Sequence, residues 1–414
     1  MKPALTLKLV ILVAFVIVTA AAGQIRSGTQ GTRLKKHFDQ ASPRPVPGRS
    51  PQFGDPLPDL TAEQLAAFEA GREEFESEET AADGLGPIFN NVSCAACHSD
   101  QTSGGASAIL ETRFGRTING QFDPLTSQGG SLQQQMAIDP AALETIPAEA
   151  NTVAQRQSTP LFGAGLIDAI PDSTIQQNAL RRQPDGVAGR AAVVFDVVSG
   201  QSRIGRFGWK AQQASLLAFA ADAYLNEMGI TSRFFPTDNA PNGNTALLAK
   251  FDAVADPEDV VDPVTGTGDI DKSTEFMRLL AAPPPLRMND SAAAGRKLFE
   301  QAGCAACHEP VMFTGPNRIA ALDNKRVALY SDLLLHDMGA LGDGIAQAAA
   351  GPRDMRTAPL WGLRASAPYL HDGRAASVDE AIRAHDGEGA RARNRYIGST
   401  AAQQQQLLDF LGTL

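Results

Sequence analysis

Apolar residues recur at helical spacing in three stretches of this chain. Behind Thr61 and Gln64, Leu65, Phe68 and Phe75 line one side of a run, and a threonine three residues ahead of a glutamine is a capping box that predicts where the helix starts. Behind Ser377 and Glu380, Val378, Ala381, Ile382 and His385 fall at i, i+3, i+4 and i+7, which predicts a helix with an imidazole on its buried face. The closing stretch QQQQLLDFLGTL reads as an amphipathic helix. Strand-like alternation is scarce, AAVVFDVVSG (191–200) being the exception. The pattern predicts a mainly α fold with long loops.

The N-terminus departs from this pattern. Lys2 and Lys8 flank the apolar stretch LVILVAFVIVTAA, and Ala20, Ala21 and Ala22 offer a small-residue cleavage site. This predicts an export signal at 1–22, cleaved after Ala22, and a periplasmic location. The alternative is an uncleaved anchor, although the run is shorter than the roughly 20 residues a spanning helix needs. Residues 23–56 are polar and Pro-rich and read as an arm. AAPPPLRMND (281–290) reads as a linker between a first domain, 57–282, and a second, 283–414.

With 414 residues, 43% of them hydrophobic, the chain can build two or three packed domains. Its net charge of -10 argues against a nucleic-acid partner, which would call for a basic face.

All four cysteines lie in one pentapeptide used twice, CAACH at Cys94, Cys97 and His98 and again at Cys304, Cys307 and His308. Two disulfides would suit an exported chain but leave both histidines without a task. Four thiolates could hold zinc, but the pairs stand 210 residues apart. Covalent haem c uses every residue: two thiols one turn apart form thioethers to the porphyrin, and the next histidine binds iron. Gly-Arg-x-x-Phe-Glu precedes both motifs, at Gly71 and Gly295. That pattern recurs after 224 residues and CAACH after 210, so the first copy holds 14 more residues between helix and haem loop. The expected architecture is two cytochrome c-like haem domains, each with a helix leading into its haem loop.

The stretch RTAPLWGLRASAPYLHDGRAASVDEAI resembles the C-terminal signature of bacterial di-haem cytochrome c peroxidases and of the related enzyme that matures methylamine dehydrogenase. GLGPIFNNVSCAACHS, TPLFGAGLIDAIP, GRFGWKAQQASLLAFAADAYLNEMGIT, YSDLLLHDMG and YLHDGRAASVDEAIRAH are similar to the di-haem oxidoreductase family, described as peroxidases or thiol oxidoreductases. In the peroxidases the C-terminal haem takes its sixth ligand, usually a methionine, 14 residues after a histidine that matches His371. Here that position is His385. The resemblance thus implies His308 and His385 as an axial pair, of lower potential than a Met/His pair.

It also implies that Trp209 relays electrons between the haems and that Glu227 handles protons over the N-terminal iron. Phe219 stands where the family often has a pocket glutamine. A calcium ion is implied ahead of His371, near Ser366 and Pro368, although Ser158 replaces the matching asparagine. His336 and Asp337, in LLLHDMG, receive no role, and His37 lies in the arm. No histidine stands between His98 and His308, so the N-terminal iron is expected to lack a distal imidazole; Met136, Met228 and Met277 are the other candidates there.

The function expected is that of an exported, peroxidase-like di-haem oxidoreductase, with a reactive N-terminal haem and an electron-accepting C-terminal one. Its partners would be a small oxidant such as peroxide and a periplasmic or membrane electron donor. A non-catalytic electron-transfer cytochrome and a haem-based binder of diatomic ligands are the alternatives.

Overall fold

The computed structural model describes residues 51–252, 260–264 and 266–414. The expected signal, most of the arm and His37 lie outside the described residues. The helices are α1 Ala62–Phe75, α2 Cys94–Cys97, α3 Ala164–Asp168, α4 Asp172–Leu180, α5 Leu216–Ala223, α6 Thr245–Phe251, α7 Asp269–Leu279, α8 Asp290–Ala302, α9 Val378–Ala384, α10 Ala390–Ile397 and α11 Ala401–Leu411. Thr61 caps α1 as its sequence predicts: its hydroxyl accepts from Gln64 N at 3.2 Å while its own N–H donates to Gln64 Oε1 at 2.9 Å. At α9 the box is displaced by one residue. Ser377 accepts from Glu380 N, but Glu380 takes the N–H of Ala376.

The repeated Gly-Arg-x-x-Phe-Glu pattern marks one helix crossing made twice. α1 packs on α7 and α8 on α11, each through the glycine of the repeat. A Cβ on Gly71 would lie 2.3 Å from the Lys272 carbonyl oxygen, and one on Gly295 would lie 1.8 Å from that of Gln406. Any larger residue would wedge the backbones apart. One turn on, Phe75 and Phe299 pack on Phe276 and Phe410, with ring centroids 4.9 and 5.5 Å apart. The same two phenylalanines reach the motif histidines, His98 at 6.2 Å and His308 at 6.4 Å.

Two cores follow from the two crossings. The first gathers Phe68, Phe75, Leu216, Tyr224 and Phe276, and also draws in Leu329, Leu333 and Leu334 from beyond the expected boundary. The second holds Phe299, Tyr396, Leu407 and Phe410. Burying each such side chain contributes about 1.5–3 kcal/mol. The expected linker is tied down rather than loose. Ala281 N donates to Asp55 O (3.0 Å), Leu286 N to Thr413 O (2.7 Å) and Arg364 to Pro284 O (3.1 Å).

Strands are more frequent than the sequence pattern suggests. They are β1 Ile88–Phe89, β2 Leu110–Ile118, β3 Gln121–Asp123, β4 Leu132–Gln133, β5 Met136–Ala137, β6 Thr152–Gln157, β7 Ala192–Asp196, β8 Gln201–Gly205, β9 Met312–Phe313, β10 Arg326–Val327, β11 Leu335–Asp337 and β12 Asp354–Arg356. β7 is the strand the alternation predicts, paired antiparallel with β8. The sheet that was not expected is built on β2, which pairs with β3, β4 and β6. Its alternation is blurred because Glu111 and Arg113 face a cavity where a core strand would carry apolar residues.

Candidate functional site

Each CAACH pentapeptide opens onto its own cavity. The C-terminal one, about 290 Å³, is lined by Cys304, Cys307, His308 and His385 among apolar neighbours such as Leu407 and Leu411. His308 Nδ1 donates to Tyr330 O at 2.9 Å, and His385 Nδ1 donates to Ala381 O at 2.8 Å. A carbonyl can only accept, so each bond fixes the tautomer and leaves Nε2 bare. The two rings stand 6.5 Å apart between centroids. With metal–nitrogen bonds of roughly 2 Å and each centroid roughly 1 Å further on, two imidazoles on one ion stand roughly 6–6.5 Å apart. Burial pushes His308 down to about 4, with the neighbouring His385 adding to the shift, and lowers His385 as well, so both rings are neutral as ligation requires.

His385 reaches this position by a different route from the one its periodicity suggests. α9 ends at Ala384, and His385 is its C-cap, with φ -57° and ψ 135°. The ring turns into the cavity from the helix end, whereas the i+7 spacing places it on the helix face.

The N-terminal cavity, about 170 Å³, is lined by Cys94, Cys97 and His98. Ser93 caps α2 by accepting from Ala96 N. His98 Nδ1 donates to Gly105 O at 3.1 Å, again leaving Nε2 bare. Burial pushes His98 down to about 4. All four thiols are free. Burial pushes Cys94 and Cys304 up to about 12 and Cys97 up to about 11, so the sulfurs are neutral. The two pairs line separate cavities, and they therefore cannot share a tetrahedral zinc ion.

Above the first motif stands a polar cluster of which sequence reading named one member. Glu227 lies in a wide π-helical turn, Tyr224–Met228, that continues α5; such turns often mark functional sites. Its Oε2 accepts from Asn90 Nδ2 at 2.8 Å, and its backbone carbonyl accepts from Asn90 N and Asn91 N. Glu111 lines the same cavity and is clamped by the Arg113 fork at 2.9 and 3.1 Å. Burial pushes Glu227 up to about 8, with the Glu111 charge adding to the effect and Arg113 and Asn90 opposing it. Burial would raise Glu111 too, but Arg113 holds it below its ordinary value. Asp222 is pushed up to about 6, mainly by burial. Glu111 and Arg113, two residues apart, share one face of β2. That Glu-x-Arg spacing was the available signal, but it required β2 to be recognised first.

Trp209 lines both cavities, as do Gln157 and Phe219. Its indole N–H donates to Gln157 O at 2.9 Å, and its ring meets His371 edge-on at 6.2 Å. Phe219 stacks on Phe207 at 5.6 Å. Trp361 packs against the first core and lines only the C-terminal cavity.

His336, without a role in the sequence, is 2% exposed and has both ring nitrogens engaged, Nδ1 by Glu388 at 2.8 Å and Nε2 by Asp332 at 3.0 Å. Burial would lower its pKa, but Asp332, Cys307 and Glu388 together push it up to about 12. It is an imidazolium anchor with no nitrogen free for iron. Among the methionines, Met228 and Met277 line the N-terminal cavity, while Met136 is on exposed β5. At the expected calcium position Ser158 donates to Cys97 O and Ser366 to Gly362 O. Among the described residues no group of three or more His, Cys, Asp or Glu gathers there or elsewhere as a metal site.

A family model described as "Di-haem oxidoreductase, putative peroxidase" matches residues 145–414. No curated protein matches the chain. Among solved structures, a hydrazine synthase of Kuenenia stuttgartiensis is 14% identical, covering 93% of this chain and 100% of that one, with a TM-score of 0.40. A MauG-like protein associated with microbial copper homeostasis is 17% identical over 90% and 95%, with a TM-score of 0.40. A variant of the diheme peroxidase BthA from Burkholderia thailandensis is 13% identical over 84% and 85%, with a TM-score of 0.39. Likeness at this level decides nothing about chemistry.

Proposed function

The chain belongs to the di-haem oxidoreductase family, and on that premise we propose that it is an exported enzyme with two covalent haems c, which reduces peroxide at its N-terminal site with electrons received through its C-terminal one. The observation that carries this reading is the asymmetry of the two cavities. The C-terminal one sets a second imidazole 6.5 Å from the motif histidine, whereas the lining of the N-terminal one holds Glu111, Asp222 and Glu227 and no histidine besides His98. A bis-histidine site is closed and suits electron transfer. A site with acid and base but no second imidazole suits a small oxidant.

Bound haem supplies one-electron chemistry, and the protein side chains do the rest. His98 and His308, oriented by the carbonyls of Gly105 and Tyr330, would each hold an iron, and His385 would be a further ligand at the second site. Glu227 carries a proton at a carboxyl buried enough to keep it near neutral pH, as acid–base work demands. Trp209 lies against both cavities and is the relay between them. Phe219 dries the boundary. An electron donor outside this chain completes the cycle, and calcium has no assembled carboxylate site here among the described residues.

The test is absorption and resonance Raman spectroscopy of the c-type matured protein. The expected result is one high-spin and one low-spin haem, with carbon monoxide binding half of the reduced haem and peroxide oxidising it rapidly. Met228 and Met277 at the N-terminal cavity give the competing electron-transfer cytochrome its basis. Two low-spin haems inert to both reagents would establish that reading instead.

A further inference from the structure

Resting on the peroxidase reading, we propose that Glu111 and Glu227 work as a pair that shares one proton beside the N-terminal haem site, so that an acid and a base face the oxidant together. Glu111 comes from β2 and Glu227 from the π-helical turn after α5, and the fold brings both side chains to the lining of one cavity of about 170 Å³, where the charge of Glu111 raises Glu227. Two adjacent carboxyls do not both ionise readily. Arg113 decides which one does, because its fork takes both oxygens of Glu111 and none of Glu227.

The surrounding charges point the same way. Facing the pair are Arg113 on β2, Arg156 on β6 opposite Glu111, Asp222 on α5 and the Cys97 sulfur. Arg156 is already committed to Asp343, at 2.7 Å, and Asp343 also holds Lys210 at 2.8 Å. Three carboxyls therefore meet one guanidinium that is not drawn to a partner outside the cluster, and it is already bound to Glu111, so retaining a proton relieves the excess. Glu227, which the Arg113 fork does not bind, keeps that proton although the Asn90 amide donates to it.

Cleaving hydrogen peroxide to two waters breaks one O–O bond and consumes two electrons and two protons. The electrons come from the reduced donor by way of the two haems, and the protons come ultimately from solvent. A lone glutamate must first accept the proton of the bound oxygen and then return it to the leaving one. The pair offers both states at once, Glu111 as carboxylate to accept and Glu227 as acid to donate, and behaves as one coupled titration.

The test uses the holoenzyme and hydrogen peroxide. In infrared spectra, subtracting Glu227→Gln from wild type cancels the haem propionates. The difference should show a protonated carboxyl at pH 7 that titrates away near pH 8. Glu111→Gln should remove that band at pH 7 and move the alkaline limb of the peroxide rate profile down by at least about one pH unit, a tenfold change in the proton equilibrium. Glu111→Asp, which keeps the charge, should retain both. If Glu111→Gln does not fold around the unpaired Arg113, the wild-type difference band and Glu111→Asp still decide. A band and a limb unmoved by Glu111→Gln, or no protonated carboxyl in wild type at pH 7, would overturn the pair. A band that behaves as expected in an enzyme inert to peroxide would overturn the peroxidase reading and leave the shared proton standing.

Discussion

Replacing His336 separates an iron ligand from a structural anchor. In His336→Gln two carboxylates lose a positive partner that is 2% exposed and bonded to them at 2.8 and 3.0 Å. Asp332 is itself only 3% exposed. Removing one member of such a buried pair costs about 3–5 kcal/mol, because the remaining charge is stranded. Glu388 also accepts from Ala188 N, so the loss reaches across to the segment ahead of β7. The pKa raised to about 12 sets the pH dependence. A folded-state value above the unfolded one, about 6.5, gives stability that is full below the unfolded value and fades as pH rises toward the folded one. The gap in melting temperature between wild type and variant should therefore be widest near pH 6 and narrower near pH 10, followed by far-ultraviolet circular dichroism. The low-spin spectrum of the C-terminal haem should be unchanged at room temperature. An unchanged melting temperature refutes the anchor, and a haem turned high-spin shows that the imidazole binds iron after all.

Gly295→Ala places a methyl group 1.8 Å from the Gln406 carbonyl oxygen; overpacking of this kind costs about 1–3 kcal/mol, more than the roughly 1 kcal/mol that alanine gains in a helix, and chemical denaturation should show the net loss. His385→Ala should turn the C-terminal haem high-spin and added imidazole should restore it, whereas His385→Met should keep it low-spin and raise its potential in a redox titration, because Met/His ligation does so. Trp209→Phe should spare the oxidation of the N-terminal haem by peroxide and slow its re-reduction from the second haem, read by stopped-flow absorbance.

The parts of the site that were legible are those carried by local spacing. CAACH, the repeated Gly-Arg-x-x-Phe-Glu and the capping box at Thr61 each declare themselves within a few residues, and His385 follows from its distance to His371. What the sequence concealed depends on contacts across long separations. Asn90 meets Glu227 from 137 residues away, and Glu111 could join them only once β2 was seen as a strand with a polar cavity face. His336 was equally opaque, because its partners Asp332 and Glu388 lie on either side of it, the second 52 residues on. The periodicity puts His385 on a helix face, whereas it is the C-cap of α9 and lines the C-terminal cavity from the helix end, since nothing in the periodicity shows that α9 stops at Ala384.

The 14 additional residues of the first repeat explain how one scaffold came to hold two different sites. Both copies share the helix crossing, the glycine, the phenylalanine and the motif histidine, so the supporting side of each site is the same. In the second copy Gly303, left-handed at φ 89°, ends α8 and leads straight into Cys304. In the first, the chain runs on from α1 through β1 before reaching Cys94, and that detour delivers Asn90 and Asn91 to the Glu227 turn. Shortening it to the length of the second copy would remove the amide that orients Glu227 and both backbone donors to its carbonyl. Such a deletion should leave haem attachment and the C-terminal low-spin spectrum intact while slowing the peroxide step by roughly a hundredfold, the usual size of a lost acid–base contribution. A deletion variant that still reacts with peroxide at the wild-type rate would show that the detour serves only to close the fold.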